Sequence, residues 1–456
     1  MILFEDIRLI EALKGYKFSD SVTSTPVTFS GEFEAKMERL IRKKQRGYNM
    51  RIYSQRAAAA VIVIALLGSF LFLLLLPRNA VELTPMSTGQ DDNQTHTPDE
   101  TITDTPDETI IPEPEPAPDT VEENMITINF SHYNITDELL ADMIASGEIP
   151  HNTGKLDLSY NNDISDVSLL KSLTGLTELN LDGNQISDIT PLQSLTGLTW
   201  LHLGRNEISD ITPLQSLTEL TGLYLLLNQI SDVTPLQSLT ELTELHIGDN
   251  RISDITPVQS LTKLMVLYIG TNQISDITPL QSLTELTMLH MGTNQISDVT
   301  PLQSLTKLTE LHLGTNQISD IMPLQSLTKL MKLHLGINLI SDIKPLEALP
   351  NLTELSLLFN QISDITPLKS LTNLTELDLQ HNQISDITPL QSLTKLTKLL
   401  LASNLLSDVT LLKSLTNLTV LGLNENQLSD SQIRELRAAL PNCEIYFISQ
   451  NPQPQG

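Results

Sequence analysis

The chain has 456 residues and a formal net charge of −28, from 55 Asp and Glu against 27 Lys and Arg. So acidic a surface repels nucleic acid and anionic lipid headgroups while keeping a long array in solution. Aromatics make up only 4% and Cys443 is the single cysteine, which excludes an internal disulfide and points to internal repetition rather than several ordinary domains.

Residues 1–56 carry eleven Lys and Arg against seven Asp and Glu, a local balance of +4. Within them, residues 29–48 (FSGEFEAKMERLIRKKQRGY) fit a basic amphipathic helix. It reads first as a polybasic anchor to the inner leaflet. It also loosely resembles the juxtamembrane segments of anti-sigma-like membrane proteins of Firmicutes, and that resemblance implies a cytoplasmic regulatory partner.

Residues 57–76, AAAAVIVIALLGSFLFLLLL, are twenty in number and carry no charge. At 1.5 Å per residue they reach about 30 Å, the thickness of a bilayer's hydrocarbon core. The basic residues cluster before this run and only Arg78 follows closely. The positive-inside rule then puts residues 1–56 in the cytoplasm and the remainder outside, in a single-pass protein of the cell membrane. A cleaved signal peptide would need a charged region spanning all of residues 1–56 and a small-residue cleavage site, and no such site follows. Residues 77–124 are rich in Pro, Thr, Asp and Glu. They cannot bury a core and read as a disordered, extended stalk.

Residues 125–154 are expected to form an N-terminal cap. Thr136 starts a helix from Asp137 to about Ala145, with Leu139, Leu140, Met143 and Ile144 inward and Gly147 at its end. Residues 155–428 hold about thirteen repeats, clearest in LTELNLDGNQISDITPLQSLTG at 176–197. Asparagines recur at one fixed spacing, Asn184, Asn206, Asn228 and onward to Asn426, and Asn161 opens the series one residue early. Leu176, Leu179, Leu181, Ile186, Ile189, Leu192 and Leu195 can all point inward. The Leu179/Leu181 alternation is strand-like, whereas so short a unit leaves room only for a 3-10 turn on the return path. The Asn side chains can satisfy backbone groups at the bend, and the Asp of each ISD, from Asp166 to Asp430, can cap the following turn. Residues 429–456 close the array, with a helix begun by Ser429 or Ser431, a strand at 443–448 and Cys443 as a buried apolar residue.

The pattern L-x-x-L-x-L-x-x-N-x-I-S-D-I-x-P-L resembles the 22-residue repeat of bacterial internalin-type surface proteins, over about residues 125–448. The resemblance implies an α/β repeat solenoid with a concave parallel β-sheet, short 3-10 turns on the convex side and helical caps. To this the sequence adds one transmembrane helix. The absence of disulfide caps fits a bacterial cell surface, expected here to be Gram-positive, or a reducing compartment. Listerial internalins usually carry a signal peptide and often a wall-sorting signal. This chain shows neither in the usual form, so host-cell invasion is not expected to carry over.

Between turns the inward positions barely change and the outward strand positions do. One outward column runs His202, Tyr224, His246, Tyr268, His290, His312 and His334. Its neighbour includes Trp200, Glu244, Met288, Glu310 and Lys332. Aromatic, His and Met side chains on an open face favour binding over solvation. These twelve residues form the expected site for a protein or glycan partner. Two of His290, His312 and His334 also stand close enough to chelate one ion, although neither metal nor cofactor is assigned. With ordinary imidazole pKa values, the face would gain positive charge between about pH 7 and 5.5. No nucleophile elbow, H-E-x-x-H, phosphate loop or Cys/His zinc pattern occurs. The expectation is a binding module rather than an enzyme, with a signalling receptor acting through residues 1–56 as the alternative.

Overall fold

The computed structural model describes residues 126–448. The expected cytoplasmic segment, membrane-spanning run and stalk all lie outside the described residues. Among the described residues no helix is long and apolar enough to cross a membrane.

The described chain forms one parallel sheet of fifteen strands whose spatial order is the order of the sequence, β1 to β15. It opens with β1 (Ile126–Asn129), α1 (Asp137–Ser146) and β2 (Thr153–Asp157). Twelve three-residue strands follow, from β3 (Glu178–Asn180) to β14 (Val420–Gly422), with a five-residue 3-10 turn before each. Helix α2 (Asp430–Ala439) and β15 (Glu444–Tyr446) close the sheet. The strands line one face and the 3-10 turns the other. The seven inward residues read from the unit at 176–197 are each 0–1% exposed, and one apolar core runs unbroken from Ile135 to Ile445.

Polar ladders hold the turns in step. Asn206 Nδ2 donates to the carbonyls of Leu181, one turn back, at 2.9 Å and of Leu203 at 3.1 Å, while its Oδ1 accepts from Ile186 N at 3.0 Å. The same bonds recur to Asn426. Each amide thus satisfies buried backbone of two turns, which the bend would otherwise leave unpaired. The ladder slips once. The step from Asn161 to Asn184 is one residue longer than every later step, and the Oδ1 of Asn184 is buried without a partner. On the opposite face, Asp188 Oδ1 accepts from Thr190 N at 2.8 Å, and the equivalent Asp caps every 3-10 turn from Asp166 to Asp408. The last of the series, Asp430, departs from the expectation. It sits in the first turn of α2, where Ser429 is the cap in a capping box with Gln432.

The N-terminal cap follows the sequence with one correction. Thr136 accepts from Leu139 N and Gly147 adopts φ 80° at the C-terminus of α1. Leu140, Met143 and Ile144 are buried, whereas Leu139 is 45% exposed. A helix offers one stripe about 100° wide to a flat neighbour, and Leu139 falls beside it. Cys443 is half-buried rather than buried, and burial pushes its thiol pKa up, away from nucleophilic chemistry.

Candidate partner-binding face

Seven consecutive strands carry the expected site: β4 (Trp200–His202), β5 (Gly222–Tyr224), β6 (Glu244–His246), β7 (Val266–Tyr268), β8 (Met288–His290), β9 (Glu310–His312) and β10 (Lys332–His334). They pair residue for residue, so Leu201 aligns with Leu223, and onward to Leu333. The central leucines point into the core and their neighbours stand on the strand face, as alternation requires. All twelve expected residues lie on this face, Lys332 exposed and the rest half-buried.

The ring column is continuous. Centroids are 4.0 Å apart for His202–Tyr224, 4.4 Å for Tyr224–His246 and 4.3 Å for His246–Tyr268. They are 4.1 Å apart for Tyr268–His290, 3.8 Å for His290–His312 and 4.0 Å for His312–His334. Parallel strands stand about 4.7–4.9 Å apart, so each ring leans to close the gap to its neighbour. Leaning covers the ring faces and leaves the edges and polar tips outward. Trp200 is different. A Cβ on Gly222 would fall on its indole ring, so the ring lies over the Gly222 backbone, 6.0 Å from the Tyr224 ring. Gly222 is therefore the seat of Trp200.

Carboxylates of the second column bind the polar tips of the first. Glu244 Oε1 accepts from Tyr224 Oη at 2.6 Å and lies 2.7 Å from His246 Nε2. Tyr268 Oη donates to Met288 Sδ at 2.8 Å. Glu310 Oε1 meets His290 Nε2 at 2.9 Å. His312 Nε2 lies 3.0 Å from the same oxygen, but off the line of a hydrogen bond. Glu354, in β11 (Glu354–Ser356), lies 3.0 Å from His334 Nε2, which likewise makes no hydrogen bond, and 3.5 Å from Lys332. Glu354 and Gly222 were absent from the residues expected on sequence. Glu354 follows His334 at the same offset at which Glu310 follows His290 and Glu244 follows Tyr224, and that recurring offset was the available signal.

Burial in the column pushes the pKa values of His246 and His290 below the usual imidazole range. His312, buried between His290 and His334, is pushed down to about 4, by burial first and then by those two neighbours. Burial works to raise the Glu310 pKa. The hydrogen bond from His290 and the nearby His312, His290 and Lys332 outweigh it, and the net direction is down.

No curated protein matches the chain. The family described as "Leucine Rich repeats (2 copies)" matches residues 155–194, 240–282, 284–329, 328–370, 350–392 and 372–411. The solved structure of the internalin InlF from Listeria monocytogenes is 39% identical, with 65% of this chain and 86% of that one covered and a TM-score of 0.62. This chain belongs to the bacterial internalin-type leucine-rich-repeat proteins. A leucine-rich-repeat protein of Leptospira interrogans shares the repeat fold at 23% identity, covering 71% of this chain and 96% of that one, with a TM-score of 0.61. So does the plant peptide hormone receptor RGFR1, solved in complex with RGF2, at 21% identity, 67% and 56% coverage and a TM-score of 0.53.

The pH behaviour expected of this internalin-type face is corrected by its packing. His246, His290 and His312 all titrate below the usual imidazole range, and His312, at about 4, does not charge between pH 7 and 5.5. They stay neutral in the fold to lower pH, while the unfolded chain takes up protons near pH 6.5. The unfolded state therefore binds more protons between about pH 6.5 and 4, and stability rises with pH across that window. Their contribution is complete above pH 6.5 and is lost as pH falls. The urea midpoint is expected to drop between pH 7 and 5, and to drop less in His312→Gln. Equal slopes for the two proteins would remove His312 from this account.

Proposed function

We propose that this chain displays its repeats outside the cell, held by one membrane-spanning helix at residues 57–76 with the N-terminus in the cytoplasm. There it binds a protein partner on the strand face between Trp200 and His334. The observation that carries the binding reading is the contrast between the two faces. The strand face bears seven leaning rings, the Trp200 indole and a row of carboxylates. The opposite face repeats T-P-L-Q-S nearly unchanged. Seven turns at about 4.8 Å span roughly 30 Å, enough for a typical protein interface. The ring faces are covered by one another, which disfavours a sugar that stacks on an open face and suits side chains that meet ring edges. Trp200, Tyr224 and Tyr268 offer large contact area with few rotatable bonds, the usual character of interface hot spots.

The test is a pulldown with the full chain, followed by affinity measurement on the captured protein. Trp200→Ala with Tyr268→Ala is expected to weaken binding at least tenfold without unfolding the array. Gln215→Ala with Gln281→Ala is expected to leave it unchanged, because those turns use the glutamine backbone carbonyls as acceptors for Ser238 and Ser304. The reverse pattern would move the partner to the 3-10 face. Protease added to intact cells should remove the repeats and spare residues 1–56; protection of the repeats until lysis would overturn the orientation.

A further inference from the structure

At the lower end of the ring column, three side chains on two adjacent strands bring metal-ligating atoms close together. His290 ends β8, and Glu310 and His312 flank the buried Leu311 of β9. His290 Nε2 and His312 Nε2 lie 2.9 and 3.0 Å from the same Glu310 oxygen, and all three donor atoms fall within 4.8 Å of one another. His312 Nε2 is buried and makes no hydrogen bond. A buried imidazole nitrogen with no bond, set beside a carboxylate that already serves a second imidazole, is a donor waiting for an acceptor.

We propose that His290, Glu310 and His312 form a binding site for one divalent transition metal of the zinc class. Two imidazole nitrogens and one carboxylate oxygen suit such an ion and not magnesium or calcium, which take oxygen shells. Bonds of about 2.0–2.2 Å around a tetrahedral ion place donors roughly 3.3–3.6 Å apart. The His–Glu distances therefore open by a few tenths of an ångström. The His290 and His312 rings, 14° from parallel, tilt on binding so that their in-plane Nε2 lone pairs converge on the ion. The fourth position faces outward from the strand face, open to water or to a donor on a docking molecule. Elsewhere in the column the set is incomplete. Glu244 holds Tyr224 and His246, one imidazole only. Glu354 faces His334 and Lys332, again one imidazole only. The site stands whether or not the face binds a protein.

The full chain, purified in detergent and stripped with chelator, is titrated with zinc chloride by calorimetry at pH 7. The expected result is one ion per chain, with affinity lowered at least tenfold in His290→Gln, His312→Gln or Glu310→Gln and unchanged in His246→Gln. Zinc should also raise the thermal midpoint of the unaltered chain, a readout that needs no variant to fold. Magnesium chloride should give neither heat nor shift. Absence of saturable zinc binding, or binding that survives His290→Gln combined with His312→Gln, would overturn the site. Equal loss in His246→Gln would overturn it too, because it would mean diffuse binding along the column.

Discussion

Asn250→Ala is expected to destabilise the array by about 3 kcal/mol, more than any single truncation on the open face. Asn250 is 5% exposed. Its Nδ2 shares its hydrogens among the carbonyls of Leu225 at 3.0 Å, Ile247 at 3.2 Å and Gly248 at 3.0 Å, and its Oδ1 accepts from Ile230 N at 3.0 Å. Alanine would leave a buried N–H and up to three carbonyls without partners, and each orphaned group costs about 1–3 kcal/mol. Asn250→Asp should be no better, because an ionised carboxylate cannot donate to those carbonyls. Urea unfolding measures both. A loss below about 0.5 kcal/mol in Asn250→Ala, the scatter of ordinary surface changes, would mean that water replaces the amide and that the ladder does not hold the turns together.

Leu289→Ala should cost about 2–5 kcal/mol. Leu289 is 0% exposed in β8, between Leu267 and Leu311 of the flanking strands. Its neighbours above and below are pinned in register, so the cavity cannot collapse by sliding one turn onto the next. In an array of this kind each turn is stabilised mainly by its neighbours, and the loss should appear first as local opening around β8. Amide hydrogen exchange resolves that opening, and urea unfolding gives its size. Thr293 in the same turn is the control. It is exposed with φ 58°, a left-handed conformation that costs a β-branched residue about 1–2 kcal/mol. Thr293→Gly should leave stability unchanged or raise it by about 1 kcal/mol. Equal losses at the two positions would put the strand register out by one residue.

The fixed repeat period made most of the fold legible, because a strict period assigns every inward leucine at once. Thr136, Gly147 and Ser429 marked the ends by their cap chemistry. What escaped depended on side-chain packing between turns. Leu139 and Leu140 are equally apolar, and only the docking angle of α1 decides which is buried. The ring column could be read as a set of positions, but its continuity depends on how far each ring leans, and the leaning is what lowers the His312 pKa. Gly222 carried no chemical mark as the seat of an indole. The left-handed residue before each ladder asparagine was also hidden. It is glycine only at Gly183, whereas Arg205, Leu227, Thr271, Ile337 and Phe359 adopt the same sign of φ. Residues of those types carry no hint of a strained backbone.

The shared amides also make this protein count. An asparagine makes its full set of bonds, from its amide hydrogens and to its amide oxygen, at one separation only. Where the separation is a residue longer, between Asn161 and Asn184, an amide oxygen goes without its bond. Removing or adding one whole repeat anywhere between Asn184 and Asn426 would leave every junction as it was and both caps intact, while a gain or loss of a single residue would orphan buried groups at that junction. Length is therefore quantised. The chain can lengthen or shorten its reach only in steps of one strand spacing, about 4.8 Å. Unequal exchange between near-identical repeats makes steps of that size, so relatives of this protein should differ by whole turns far more often than by fractions of one.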